Sequence, residues 1–103
     1  MSCAIYEITA TVREDLTEAF ETFLMRSHIP DLIATGAFTV ATFMRSSPGR
    51  YRIVYEAQTR DRLDLYLKDH ASPLRIHMIE TFPAGVELSR EEWTVVKRFH
   101  YPE

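Results

Sequence analysis

The stretch His28-Ile29-Pro30-Asp31-Leu32-Ile33-Ala34-Thr35-Gly36-Ala37-Phe38 lies where one periodicity stops and another begins. Before it, Leu16, Ala19, Phe20, Phe23 and Leu24 recur at helical spacing, one apolar stripe facing a core. After it, apolar residues alternate in the manner of a strand. The residue before a proline is pushed out of helical geometry, so the helix is expected to end near Ser27. Gly36 supplies the positive φ that closes the turn. A His, an Asp three residues on and a Thr-Gly pair share this one connection. Connections held by rigid elements are where chemistry tends to be placed.

Outward toward the N-terminus, Asp15 is expected as an N-cap with Glu18 three residues later, a capping-box-like pair. Residues 3–13 alternate, with Tyr6, Ile8, Ala10 and Val12 on one face and Glu7, Thr9 and Thr11 on the other. Outward toward the C-terminus, residues 38–45 set Thr39, Ala41 and Phe43 against Phe38, Val40, Thr42 and Met44. Ser46-Ser47-Pro48-Gly49 composes a tight reversal. Residues 50–59 then set Tyr51, Ile53, Tyr55 and Ala57 against Arg52, Val54, Glu56 and Gln58, which makes the two runs a hairpin. Helical spacing covers 60–82 through Leu63, Tyr66, Leu67, His70, Leu74, Met78 and Phe82. Ser72-Pro73 interrupts it as an N-cap followed by Pro at the first helical position, leaving a kink or gap near 69–71. After Phe82-Pro83-Ala84-Gly85, residues 91–101 form the last strand, with Trp93, Val95, Lys97 and Phe99 on one face.

The order strand, helix, strand, strand, helix, strand predicts an α+β fold, the ferredoxin-like βαββαβ sandwich. In it a four-stranded antiparallel sheet carries two helical segments on one face. The uncovered face then holds Glu7, Thr9, Thr11, Thr39, Ala41, Phe43, Val54 and Val96, too apolar for a fully wet surface. A homodimer pressing two such faces together is the simplest cover.

With 103 residues, the chain is expected to be one domain, 1–103. Its net charge is -3 and its 12 basic residues are scattered, which speaks against nucleic acid as a partner. The single Cys3 precludes an internal disulfide and suits a reducing compartment. No apolar run has signal-peptide or bilayer-spanning length, so a soluble cytoplasmic protein with no membrane partner is expected.

The run from Phe23 to Phe38, the first strand, Tyr51-Arg52-Ile53-Val54-Tyr55 and the segment from Tyr66 through Asp69-His70-Ala71-Ser72-Pro73-Leu74-Arg75 resemble a small bacterial family of uncharacterised proteins, a domain of unknown function. The His-Ile-Pro-Asp…Thr-Gly-x-Phe string is the most specific part, and the likeness covers nearly the whole chain. The resemblance implies membership of the dimeric α/β-barrel proteins, ferredoxin-like units whose two sheets form a barrel across a dimer. That superfamily includes antibiotic-biosynthesis-type monooxygenases, muconolactone-isomerase-like enzymes and stress-induced barrel proteins. It implies the fold and the homodimer but no activity, since fold does not fix function.

His28, Asp31 and His70 are the candidates for catalysis. A carboxylate beside His28 would orient the imidazole and raise its basicity, as a general base needs; the structural alternative makes His28 a helix-end complement and Asp31 a turn cap. His70 and His77 stand about 10 Å apart along a straight helix, too far for one metal, so no metal site is expected. Tyr6, Tyr55 and Tyr66 are candidates for lining a ligand pocket, against the plain reading of aromatic core, and Arg75, in a segment that carries the resemblance, joins them. Glu7 and Glu56 face away from the helices, either paired with Arg45, Arg52 or Arg98 or desolvated and titratable. There is no phosphate loop, nucleophile elbow or nucleotide fingerprint, and no cofactor is expected. Two functions remain open. One is a small-molecule binding protein, with its ligand between sheet and helices or in the dimer barrel. The other is a cofactor-free, monooxygenase- or isomerase-like enzyme.

Overall fold

A computed structural model describes residues 3–102. Strand β1 (Ala4–Val12) buries Tyr6, Ile8, Ala10 and Val12 on one face, as the alternation predicts. The helical stripe after it becomes α1 (Thr17–Phe23), entered through a 3-10 turn at Glu14–Leu16. Asp15 does not cap this helix. Arg13 donates its Nε to the Asp15 carboxylate at 2.6 Å, and that pairing takes up the oxygen a cap would need.

The helix does not end at Ser27. It passes through a π-helical segment, Leu24–His28, into α2 (Ile29–Ala34), with helical dihedrals on both sides of Pro30. Pro30 has no N–H and its ring collides with the carbonyl four residues back, which breaks an ordinary α ladder. A wider i→i+5 turn immediately before it relieves the collision, so the chain bulges rather than stops. Phe20, Leu24, His28 and Leu32 are all buried. Four residues overshoot a 3.6-residue turn by about 40°, so an uninterrupted α-helix would carry this set roughly 120° around its axis. The wide turn takes up part of that drift and holds His28 under the helix rather than at its end. Thr35 closes α2 by donating its hydroxyl to Leu32 O at 2.7 Å, and Gly36 follows at φ +79°.

Strands β2 (Val40–Ser47) and β3 (Arg50–Ala57) form the expected hairpin, with Gly49 at φ +80° in the turn. The register sets Phe43 opposite Ile53 and Ala41 opposite Tyr55. Ile53 and Tyr55 are buried under the helices, so Ala41 and Phe43 pack toward the core, not on the open face as expected. Val40, Thr42 and Met44 take the open side. Phe38 lies before the strand and is buried, so its parity says nothing about β2.

The second helical region breaks as expected, into α3 (Arg60–Asp69) and α4 (Ala71–Thr81), with His70 between them at φ -124°. The restart lies two residues earlier than Ser72: His70 is the N-cap and Pro73 sits inside the first turn, where a missing N–H costs nothing. Thr59 caps α3 by accepting from the Arg62 N–H at 3.3 Å.

Strand β4 is Val86–Thr94, not residues 91–101. It begins straight after Gly85, opposite the end of β1, and stops opposite the start of β1: Val86 pairs with Val12, Ala4 pairs with Thr94, and Val95 N–H reaches Cys3 O at 2.9 Å. Residues 95–102 continue without regular structure, with Val96, Phe99 and Tyr101 exposed. The antiparallel sheet runs β2-β3-β1-β4. This is the ferredoxin-like α+β arrangement, with the helices over one face. No helix among the described residues is long and apolar enough to cross a membrane.

Candidate functional site

Between sheet and helices lies a cavity of about 10 Å³, lined by Tyr6, Ile8 and Leu88 from the sheet, Phe20, Leu24 and His28 from the first helical region, Tyr66 of α3 and Arg75 and Met78 of α4, with Ile53, Tyr55 and Arg90 completing it. That volume holds about one water-sized group. The surrounding aromatics are packed: Phe38 sits 5.1 Å from Tyr55 and 4.9 Å from Tyr66, centroid to centroid, and Tyr6 lies 5.7 Å from Tyr66.

Three side-chain atoms of these lining residues are buried without a hydrogen-bond partner: His28 Nδ1, Tyr55 OH and Arg75 Nε. His28 is 5% exposed and Tyr55 0%. Native proteins rarely bury polar atoms unpaired, and three in one place ask for a polar group among them. One neighbour is already fixed, since an Arg75 Nη donates to Tyr6 OH at 3.0 Å, leaving the Tyr6 hydroxyl free to donate.

Burial sets the charge state of the cluster. It lowers the His28 pKa to about 4; Asp31 pulls the other way, and His77 and Arg90 add to the depression. At neutral pH the imidazole is therefore uncharged. Burial pushes the Tyr55 and Tyr66 phenols well above the ordinary tyrosine range, so both keep their protons. The guanidiniums of Arg75 and Arg90 are left as the formal charges lining the cavity.

Five residues singled out by sequence thus meet here: Tyr6, His28, Tyr55, Tyr66 and Arg75. Five others lie elsewhere. Asp31 is exposed in the first turn of α2 and shares no hydrogen bond with His28 among the described residues. His70 is exposed at the α3–α4 break, its ring 6.4 Å from Tyr66, and His77 is exposed against Phe23. Neither is buried, although the helical spacing of 60–82 that includes His70 suggests a core or boundary position for it. Glu7 and Glu56 lie on the opposite face of the sheet and are paired there, Glu7 with Arg52 at 3.3 Å and Glu56 with Arg98 at 2.9 Å. Arg45 instead meets Glu21 at 2.8 Å. Arg90 escapes the sequence reading because the last strand was expected to start one residue after it; the alternation Val86, Leu88, Arg90 is the signal that finds it. Among the described residues, no group of three His, Cys, Asp or Glu side chains comes together as a metal site.

Solved structures share this fold at low sequence identity. A protein of unknown function from Nitrosomonas europaea, NE2512, superposes with a TM-score of 0.70 at 12% identity, over 100% of this chain and 98% of that one. SnoaB, a cofactor-independent oxygenase from Streptomyces nogalater, superposes at 0.69 with 16% identity over 100% of both chains. A dimeric ferredoxin-like protein from an uncultured marine organism superposes at 0.70 with 12% identity, over 98% of this chain and 100% of that one. Among curated proteins none matches the sequence. The model of one sequence family matches residues 3–96, and the chain belongs to that family, a domain of unknown function designated DUF4286.

Proposed function

We propose that this protein is a self-associating small-molecule binding protein whose ligand seats a polar group in the cavity between sheet and helices. The observation that carries the reading is the set of three buried, unpartnered polar atoms, His28 Nδ1, Tyr55 OH and Arg75 Nε, all on residues lining that cavity. Small-molecule sites are largely apolar, with a few convergent polar groups that fix orientation, and this cluster has that composition. Self-association rests on the open sheet face and on the dimeric state stated for a protein of like fold.

The second reading, a cofactor-free monooxygenase- or isomerase-like enzyme, draws on the fold shared with the Streptomyces oxygenase. An imidazole whose pKa has fallen to about 4 has little proton affinity to offer as a general base, which favours binding over turnover. The test is a titration of the ¹⁵N-labelled protein with phenol, acetamide and acetate, reading the His28 ring resonances. At least one probe is expected to move them saturably, and Tyr55→Phe is expected to weaken that response severalfold. If none of the three moves the His28 ring, or if Tyr55→Phe responds as the parent does, the binding reading is lost.

A further inference from the structure

The cavity is lined by two guanidiniums and by no carboxylate. Of the eight arginines elsewhere, Arg13, Arg45, Arg52, Arg60 and Arg98 form ion pairs, while Arg26, Arg50 and Arg62 form none among the described residues but are exposed to water. Arg75 and Arg90 have no Asp or Glu within 4.0 Å among the described residues. Arg75 is half-buried, spends one Nη on the neutral phenol of Tyr6, and keeps its Nε buried without a partner. A guanidinium withdrawn from water with no counter-charge is costly, and its planar fork matches a carboxylate. The other polar groups at the cavity can donate as well: Tyr55 through its hydroxyl, and His28 through Nδ1 in the tautomer protonated there.

We infer that this pocket is an anion site that takes the carboxylate head of a small organic acid on Arg75 Nε, with Tyr55 and His28 donating to the same head. The inference rests on the binding reading above and names its ligand class. The cavity, at about 10 Å³, has room for one water-sized atom, so the head enters it by a single carboxylate oxygen. The body of the acid leaves past Arg90, which is exposed on edge strand β4 and adds a second positive charge at the mouth.

The experiment titrates the whole chain, in low-salt buffer, with acetate, hexanoate, acetamide and sodium chloride. It follows the Arg75 Nε–H and His28 ring resonances. Acetate and hexanoate are expected to shift both saturably, hexanoate at the lower concentration, while acetamide and chloride leave them in place. Arg75→Gln is expected to weaken hexanoate at least tenfold. Arg90→Gln, a change at an exposed side chain that leaves the buried residues as they are, is expected to weaken it severalfold. Acetamide binding as well as acetate would overturn the anion assignment and leave the binding reading intact. Chloride alone reproducing the shifts, or hexanoate binding both variants like the parent, would overturn the carboxylate assignment. Silence from all four probes would overturn the carboxylate assignment, and the binding reading would then stand or fall on phenol.

Discussion

At the scale of single residues, His28 shows most clearly what burial does. Its folded pKa, about 4, lies below the ordinary 6.5 because the charged imidazolium would be desolvated. Between these values the unfolded chain binds a proton that the folded chain does not. The contribution of His28 is therefore complete above pH 6.5 and is lost as the pH falls toward 4; the full loss is on the order of 3 kcal/mol. Urea unfolding at pH 7 and pH 4.5 is expected to show a steeper loss for the parent than for His28→Gln. Carboxylates such as Glu21, held low by Tyr51 and Arg45, titrate in both proteins and cancel in the comparison. Equal losses would show that the imidazole is not neutral-buried. The cluster around His28 was legible in part. Alternation alone puts Tyr6 and Tyr55 on the inner face, and helical spacing does the same for Tyr66. The distance between His28 and Asp31 was not legible, since three residues along a widened helix no longer fix which way a side chain points.

At the scale of elements, the strands and the α3–α4 break follow from periodicity and from Pro73. The π-helical segment does not: an i→i+5 turn has no residue signature of its own, and it persists here because Pro30 needs relief while Phe20, Leu24, His28 and Leu32 all have to reach the core. The end of β4 was hidden for another reason. A strand stops where its partner stops, and nothing within residues 91–101 records the length of β1. The turns were legible from glycine, but glycines with like dihedrals are not equal. Gly49 and Gly36 have φ of +80° and +79°, yet a Cβ on Gly49 would stand 2.6 Å from Val12 O, while one on Gly36 meets nothing within 4 Å. Gly36→Ala is expected to cost only the left-handed penalty of about 1–2 kcal/mol. Gly49→Ala adds a backbone clash across the sheet and puts at risk the Val12 N–H to Gly49 O bond of 2.8 Å, so it is expected to cost clearly more. Denaturation midpoints of the two variants decide this, and equal costs would count against the register of the hairpin turn.

At the scale of the whole molecule, the proposed self-association turns on the face the helices leave open. Val40, Met44 and Trp93 stand there 46%, 40% and 48% exposed, with Trp93 directly across from Ile5 in the β1–β4 ladder. These side chains stand on the two edge strands, with Val54 and Ile5 and the paired Glu7, Arg52 and Glu56 between them, so the face is mixed, apolar and charged by turns. Four strands about 4.8 Å apart and about 28 Å long give a flat footprint of roughly 500 Å², against the ~800 Å² per partner of a standard stable interface. In the proposed dimer, side-chain relief and the exposed Val96, Phe99 and Tyr101 after β4 would have to supply the difference. The ion pairs Glu7–Arg52 and Glu56–Arg98 neutralise part of the charge on this face. Glu87 and Glu91 of β4 stand on it too, exposed and outside any ion pair among the described residues. A second copy has to leave them at the wet rim or meet them with a cation. Sedimentation at micromolar concentration is expected to give the mass of a dimer. Met44→Glu combined with Trp93→Glu is expected to give a folded monomer, since both side chains point away from the core and their loss leaves the helix-covered face untouched. A parent protein that sediments as a monomer, or a double variant that remains dimeric, would mean that the sheet face is not where the copies meet.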